Sequence, residues 1–125
     1  MPTRKQAQKW ANALRSGEFK QTLRHLQNEG GYCCLGVACK IFIPKNKQQI
    51  YHNGELSGSV PASQPNAPEW LVEVSGATQE LIGTSLMSAN DIKGYDFNEI
   101  ADIIELLYVH EAIKPGDPVS NVVEN

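Results

Sequence analysis

Apolar residues at helical spacing open the chain and predict two amphipathic helices. The first begins after Thr3, a residue type that caps helices, and ends near Ser16, where Gly17 follows as a stop signal. Its buried face carries Ala7, Trp10, Ala11 and Leu14. A second helix is predicted over residues 18–28, and its buried face carries Phe19, Thr22, Leu23 and Leu26. Because the connection between them is very short, the two helices should pack as an antiparallel hairpin.

The middle of the chain predicts shorter elements. The stretch "GYCCLGVACKIF" is apolar at nearly every position, and we predict a short strand or turn at 32–34 followed by a helix to about Phe42. The dipeptide Asn53-Gly54, between short extended flanks, is a strong signal for a β-hairpin. Residues 57–68 are rich in serine and proline and should form an irregular loop.

The last third is predicted to be mainly helical. Pro68 is well placed in the first turn of a short helix through "EWLVEV", residues 78–83 favour a strand, and residues 85–91 favour one or two helical turns. Asp96 and Glu99 have the spacing of a capping box at the start of the longest helix. Its buried stripe carries Phe97, Ile100, Ala101, Ile104, Leu107 and Tyr108. Its outer face carries Asn98, Asp102 and Glu105.

These elements predict a single α-rich α+β domain over residues 1–114, with an N-terminal helical hairpin, a small β-hairpin and a long amphipathic C-terminal helix. Residues 115–125, broken by two prolines, should form a flexible tail. The chain of 125 residues is 41% hydrophobic and 20% charged, as expected of one globular domain. No apolar run reaches the ~20 residues of a membrane span or forms a secretory signal. We therefore expect a cytoplasmic protein with no membrane association and with reduced thiols.

Charge divides the chain into a basic front and an acidic remainder. Residues 1–47 hold nine of the eleven Lys and Arg and two acids, for a net charge of +7, whereas residues 48–125 hold two lysines and twelve acids, for a net charge of −10. This division is expected either of an anion-binding front half or of two halves that attract each other inside one fold. The acidic C-terminal part should repel duplex DNA.

Four stretches of the sequence carry a resemblance to known proteins: "WANALRSGEFKQ", "YCCLGVACKIF", "PEWLVEVSG" and "LMSANDIKGYDFNEIADIIE". In this order they resemble a family of small uncharacterised proteins of bacteriophages and prophages. The resemblance implies a phage or prophage origin and a compact α-rich domain, and it implies no chemistry. The polar or special positions that align with the family pattern are Trp10, Ser16, Gly17, Gln21, Cys33, Cys34, Gly36, Asn90, Asp91 and Gly94. Ala89 stands where the pattern has a larger aliphatic residue.

Three cysteines within seven positions are candidates for a metal site or a catalytic thiol. Zinc needs about four ligands at defined spacing, which the adjacent Cys33 and Cys34 and the separate Cys39 do not offer. A catalytic thiol needs a base, and His25 is the histidine that could approach Cys33. The apolar flanking residues favour a third interpretation, in which the cysteines are small core residues and Gly36 permits close approach of another element. We therefore predict no metal and no cofactor.

A polar site is the remaining candidate. Asn90 and Asp91 end a short helix before a loop, where they form either a simple turn or the rim of a pocket that faces the basic front of the chain. In the second case, arginines would bind the phosphate of a nucleotide and the amides would bind its base or ribose. The predicted ligand-binding residues are Arg15, Gln21, Arg24, Tyr32, Asn90 and Asp91.

The leading functional hypothesis is a phage accessory protein without enzymatic activity that acts in the host cytoplasm. It would modulate a host function or antagonise host defence, either by sequestering a nucleotide immune signal or by binding a host protein. The alternatives are a nucleic-acid-associated regulator that uses the basic N-terminal hairpin and a cysteine-dependent or hydrolytic enzyme. A homo-oligomer is compatible with all of these hypotheses.

Overall fold

Helix α1, Arg4–Arg15, begins with a complete capping box. The Thr3 hydroxyl accepts the Gln6 N–H at 3.1 Å, and the Gln6 side chain accepts the Thr3 N–H at 2.9 Å. These two hydrogen bonds thus satisfy backbone N–H groups that have no partner within the helix. The buried residues are the predicted ones: Ala7, Trp10, Ala11 and Leu14. The structure, a computed structural model, describes residues 1–77 and 86–114.

Residues 18–28 do not form the predicted second helix, so the helical hairpin is wrong. They contribute two short strands, β1 (Lys20–Gln21) and β2 (Gln27–Asn28), to a small sheet in which β3 (Gly31–Tyr32) is the central strand. Strand β1 pairs with β3 in parallel, and β2 pairs with β3 in antiparallel orientation. In place of the predicted helical hairpin, the chain therefore forms one helix and part of a small sheet.

Long-range contacts explain why the apolar spacing of this segment does not produce a helix. Arg24 lies at φ 65°, far from helical geometry. The Thr22 N–H donates to the Tyr32 carbonyl at 2.8 Å, and the Leu26 N–H donates to the Gly58 carbonyl at 3.1 Å. Of the four apolar positions assigned to the helix, Leu26 alone is fully buried. Tertiary contacts thus override a local pattern that fits a helix equally well.

Helix α2, Cys34–Phe42, follows β3 directly, as the sequence predicted. Cys33 caps it, because the Gly36 N–H donates to the Cys33 sulfur at 3.3 Å. A Cβ atom built on Gly36 would lie 1.8 Å from the carbonyl oxygen of Leu26, which is well inside van der Waals contact. The prediction that Gly36 permits close approach of another element is therefore confirmed, and that element is the backbone just before β2.

The loop after α2 is ordered by a buried glutamine. The predicted β-hairpin consists of a single antiparallel bridge between Ile50 and Leu56. Gln64 is only 2% exposed, and its side chain accepts the Gln49 N–H at 2.8 Å. The Gln64 amide also donates to the carbonyls of Gln49 and Ser57 at 3.0 and 2.9 Å. One side chain thus supplies hydrogen bonds that a longer hairpin would have formed between strands.

Short helices make up the next part of the chain. Two 3₁₀ helices, Lys45–Lys47 and Pro61–Ser63, precede helix α3, Glu69–Ala77. Helix α4, Leu86–Asp91, confirms the predicted helical turns before the Asn-Asp pair. The strand predicted at 78–83 and the tail predicted at 115–125 lie outside the described residues.

The C-terminal helix is interrupted. Helix α5, Phe97–Ile104, begins with the predicted capping box, in which the Glu99 N–H donates to Asp96 at 2.9 Å. A π-helix, Glu105–Val109, continues it, so the predicted long helix changes its hydrogen-bonding pattern after two turns. All six residues of the predicted apolar stripe are buried. No helix of the described segments is long and apolar enough to cross a membrane.

The core lies where α1 packs against α5 and α2. Trp10 is fully buried, and its indole N–H donates to the Cys34 carbonyl at 3.0 Å. The ring of Trp10 lies 6.0 Å from that of Trp70 on α3, so one residue of α1 contacts two further helices. The fold is α+β and helix-rich, as the sequence predicted.

Replacing Gly36 by alanine should destabilise the protein. The added methyl group would collide with the Leu26 carbonyl oxygen, and relief requires moving either α2 or the backbone before β2. We expect the free energy of unfolding, measured by urea titration, to fall by about 1–3 kcal/mol. Asn98→Ala, at an exposed position of α5, is the control and should change it by no more than about 0.5 kcal/mol. Equal effects of the two substitutions would contradict the close packing of α2 on Leu26.

Candidate functional site

Asn90, near the end of α4, is fully buried and joins separate segments of the chain. Its side-chain oxygen accepts a hydrogen bond from the Gln21 amide at 2.8 Å. Its own amide donates to the Thr22 carbonyl at 2.9 Å and to the Asp91 carboxylate at 2.8 Å. The Gln21 amide also donates to the Tyr95 carbonyl at 2.9 Å. Because the amide donors of both residues are already used, Asn90 and Gln21 act mainly as a buried clamp on β1.

Asp91 fixes the loop between β1 and β2. Its carboxylate accepts the Arg24 N–H at 2.9 Å, in addition to the Asn90 amide. Arg24 lies in the left-handed region at φ 65°, which costs a residue with a side chain roughly 1–2 kcal/mol. The hydrogen bond to Asp91 helps to offset that cost. Asp91 therefore binds the backbone of Arg24, and the Arg24 residue remains exposed to solvent.

Arg15, the last residue of α1, is bound by two carboxylates. Its guanidinium contacts Asp102 and lies 2.6 Å from the Glu105 carboxylate, which also accepts the Gln8 amide at 2.6 Å. The hydrogen bond from Arg15 lowers the pKa of Glu105 to about 2, and the same bond raises the pKa of Arg15. The prediction that Glu105 lies on an outer face is wrong, because α1 packs along α5 and brings Gln8 and Arg15 over it.

Arg15 and Gln21 line the same shallow hollow of about 280 Å³. Phe19 also lines it, and Tyr32 packs edge-on against Phe19 with ring centroids 5.1 Å apart. Several of the predicted ligand-binding residues thus lie around one region of the surface. Arg15 is already neutralised by two carboxylates, however, and Asp96 lines the hollow as well. The hollow therefore lacks the excess positive charge that a phosphate group requires.

All three cysteines are buried. Burial raises the pKa of Cys33 to about 11 and that of Cys39 to about 12, and it raises the pKa of Cys34 as well. The Cys34 thiol donates to the Leu86 carbonyl at 3.5 Å, whereas Cys33 caps α2. Because the thiolate is the nucleophile, raised pKa values agree with the interpretation of these residues as core packing.

Two exposed aliphatic side chains lie beside the Arg24–Asp91 hydrogen bond, and sequence reasoning missed them. Leu23, assigned to the buried face of a helix, is 48% exposed, and Ile92 is 73% exposed. Each is the chain neighbour of one partner in that bond, which brings the backbones of the two residues into one region. A sequence signal existed for Ile92 alone, because it follows the Asn-Asp pair and precedes Lys93, outside any apolar stripe. Neighbouring exposed aliphatic residues are a common component of protein-binding surfaces.

A cavity of about 400 Å³ next to α3 and the π-helix was also not predicted. Val74, Leu107 and Ile113 give it apolar walls. Tyr108 lines it too, and its buried hydroxyl has no hydrogen-bond partner among residues 1–77 and 86–114. Burial raises the pKa of Tyr108 to about 12, so this hydroxyl stays protonated at neutral pH. The cavity offers one hydrogen-bonding group in apolar surroundings.

The described residues, 1–77 and 86–114, contain no cluster of potential metal ligands. No group of three or more His, Cys, Asp and Glu side chains in these segments is arranged to hold a metal ion.

Comparison with known proteins gives a family without an assigned activity. Residues 3–108 match a domain of unknown function (DUF8296), and the chain belongs to this family. Searches of curated proteins and of solved structures gave no match. The function therefore has to be argued from the residues and their geometry.

The ion pair between Glu105 and Arg15 should make the free energy of unfolding depend on pH in the acid range. The pKa of Glu105 is lowered from 4.5 to about 2 in the folded protein, so the charged carboxylate stabilises the fold above its unfolded pKa, and this contribution is lost as the pH falls toward 2. Glu105→Gln should cost about 1 kcal/mol at neutral pH. The difference from the parent protein should shrink below about pH 4.5 when urea unfolding is followed across the acid range.

Glu18→Gln is the matched control for Glu105→Gln, since Glu18 is exposed and its carboxylate makes no ion pair within the described segments. Its difference from the parent should stay within about 0.5 kcal/mol at every pH. A Glu105→Gln difference that does not change with pH would contradict the ion pair.

The cysteines should react slowly with a thiol reagent in the native protein and rapidly in denaturant. Their burial and raised pKa values leave little accessible thiolate at neutral pH. The measurement is the time course of modification by a chromogenic disulfide reagent, with glutathione as the exposed-thiol control. Rapid modification of one thiol per folded molecule would contradict the packing interpretation and would favour the enzyme alternative.

Proposed function

We propose that this member of the DUF8296 family is a phage- or prophage-encoded accessory protein that binds a host protein in the host cytoplasm. By this binding it would modulate or antagonise a host function, including host defence. The proposed origin rests on the resemblance of the four sequence motifs. The proposed mode of action rests on one observation, which is the exposed aliphatic pair, Leu23 and Ile92, at a hydrogen-bonded junction.

The proposed contact surface, here called the docking knob, consists of Leu23, Arg24, His25, Ile92 and Lys93. All five residues are exposed. The two aliphatic side chains expose apolar area to water. Burying that area against a partner would stabilise the complex by about 25 cal/mol per Å². Apolar residues near the centre of a contact, with charged residues around them, are the usual arrangement of a protein interface.

The backbone under the docking knob is held rigidly. Asn90 is fully buried and contacts both Gln21 and Thr22, and Asp91 holds Arg24 in its left-handed conformation. Gly94, at φ 73°, turns the chain just after the knob. A surface that is ordered before binding loses less conformational entropy when the complex forms. The polar residues predicted to contact a ligand would then serve mainly to position the knob.

Charge indicates what kind of partner would fit. Arg24 and Lys93 place two cationic side chains beside the aliphatic pair, and neither forms an ion pair among the described residues. A partner with an apolar groove bordered by Asp or Glu would complement the knob in both shape and charge. We therefore expect an acidic host protein.

The other hypotheses receive less support from these contacts. A nucleotide at Arg15 would compete with the Asp102 and Glu105 carboxylates for the same guanidinium. An enzyme based on the cysteines would need a lowered thiol pKa, whereas burial raises all three.

Capture experiments from bacterial lysate test the docking knob. The parent protein, a Leu23→Ser, Ile92→Ser variant and an Ile50→Ser, Val72→Ser variant would be immobilised in parallel, and the retained proteins quantified by mass spectrometry. Ile50 and Val72 are exposed aliphatic residues outside the knob, so the second variant is a matched control. We expect an acidic host protein that the parent and the control retain in stoichiometric amount. The knob variant should bind the purified partner at least about 10-fold more weakly.

Circular dichroism of both variants would establish that they remain folded. If both variants lose the partner equally, the contact lies elsewhere. If the knob variant retains the partner as well as the parent does, the proposal is contradicted directly. If no host protein binds stoichiometrically, this mode of action is wrong.

A further inference from the structure

Lysines lie on α1 and at the C-terminal end of α2, two helices that pack against each other. The set called here the lysine face consists of Lys5 and Lys9 on α1, Lys40 in the last turn of α2, and Lys45 and Lys47 just after that helix. Lys5 and Lys9 are four residues apart on α1 and so share one side of the helix. The Lys9 ammonium lies 5.5 Å from the centre of the Phe42 ring, which joins α1 to the end of α2. Lys5 and Lys9 also line a shallow hollow together with Arg4.

The lysine face carries charge that the fold does not neutralise. Within residues 1–77 and 86–114, none of its five lysines forms an ion pair, whereas Arg15 is bound by two carboxylates and Arg4 lies 3.5 Å from Glu111. The chain around it has no acids of its own, since residues 1–17 and 30–54 contain neither Asp nor Glu. Pairing inside the fold therefore accounts for part of the basic front and leaves these lysines free to bind an anion.

An aromatic pair borders the same face. Phe42 and Trp70 are half-buried, and their rings meet edge to face with centroids 5.1 Å apart. The Trp70 ring also packs against the ring of Trp10, which is fully buried. The aromatic pair is therefore held in position, both of its residues are partly exposed, and the Lys9 ammonium lies over the Phe42 ring. Lysines next to accessible aromatic rings are the combination that single-stranded nucleic acids bind.

We propose that the lysine face is a binding site for single-stranded nucleic acid. The lysines would contact successive phosphates, and an unpaired base would stack on the exposed part of Phe42 or Trp70. In a duplex the faces of the bases are covered by neighbouring bases, so an aromatic platform favours a single strand. Lysine is a point charge without the planar fork of arginine, so the contacts should be independent of sequence. This site shares no residue with the docking knob, so either proposal can fail without the other.

Fluorescence anisotropy of a labelled oligothymidylate of about a dozen nucleotides is the test, with salt varied from about 50 to 200 mM. The key variant is Lys5→Gln, Lys9→Gln. The matched control is Lys20→Gln, Lys114→Gln, which removes the same charge from exposed positions outside both the lysine face and the docking knob. We expect the key variant to bind at least about 10-fold more weakly than the control.

The salt dependence separates specific phosphate contacts from a general charge effect. Each phosphate contact to a single strand contributes about 0.7 to the slope of log affinity against log salt. Removing Lys5 and Lys9 should therefore reduce the slope by about 1.4, and the control should leave it nearly unchanged. Equal slopes for both variants would show that net charge alone binds the oligonucleotide, and would overturn the proposal.

The aromatic part has its own measurement in the unmodified protein. Because Trp10 is fully buried and Trp70 is half-buried, stacking should quench the Trp70 fluorescence as the oligonucleotide saturates the site. Phe42→Leu should weaken binding at least about 5-fold, the lower end of the effect found for one stacked base.

Three outcomes would contradict a single-strand site. They are the absence of binding at the lowest salt, duplex binding as tight as that of the single strand, and full competition by inorganic phosphate. The last result would indicate a site for a single small anion instead.

Discussion

Helix α2 has no side chain at Gly36, and the carbonyl group of Leu26 occupies that place. This contact joins α2, whose residues 34–39 are all buried, to the small sheet. It seats Leu26 in the core, so the residues immediately before it are directed outward. The loop that carries Leu23 and Arg24 is then close enough to α4 for Asp91 to bind its backbone. The exposed residues Leu23 and Arg24 thus lie in a segment that is held by two tertiary contacts, one at Leu26 and one at Asp91.

Amide side chains hold together the parts of the fold that have little regular structure. Asn90 clamps β1, Gln64 orders the loop after α2, and the Gln27 side chain accepts the Leu56 N–H at 2.9 Å. The Gln48 amide donates to carbonyls at the end of α2, which would otherwise lack partners. An amide can donate and accept at once, so it can replace a pair of strand hydrogen bonds. This explains how strands of only two residues persist in the structure.

Local signals in the sequence were sufficient for the helices that cap themselves. Thr3 and Asp96 each begin a helix through a complete capping box. All the buried residues of α1 were predicted, and so were those of α5 except Ile103. Residues 18–28 were mispredicted because their apolar spacing fits a helix, while the deciding contacts come from Gly36, Gly58 and Asp91, which are distant in sequence. The same long-range contacts decide that Leu23 is exposed. The sequence therefore singled out polar residues that hydrogen-bond to one another in the structure, such as Gln21 and Asn90, but not the exposed apolar residues near them.

The unequal charge of the two halves has two physical roles. One part is internal attraction, in which Asp102 and Glu105 bind Arg15 and connect α1 to the C-terminal helices. The other part is the lysine face, where the local sequence has no acids and no carboxylate comes within ion-pair distance in the described structure. A fold that needed its basic residues only for cohesion would gain little from leaving five of them unpaired in one region. Their mutual repulsion is a small cost to stability, and binding of the proposed anionic chain would reduce it.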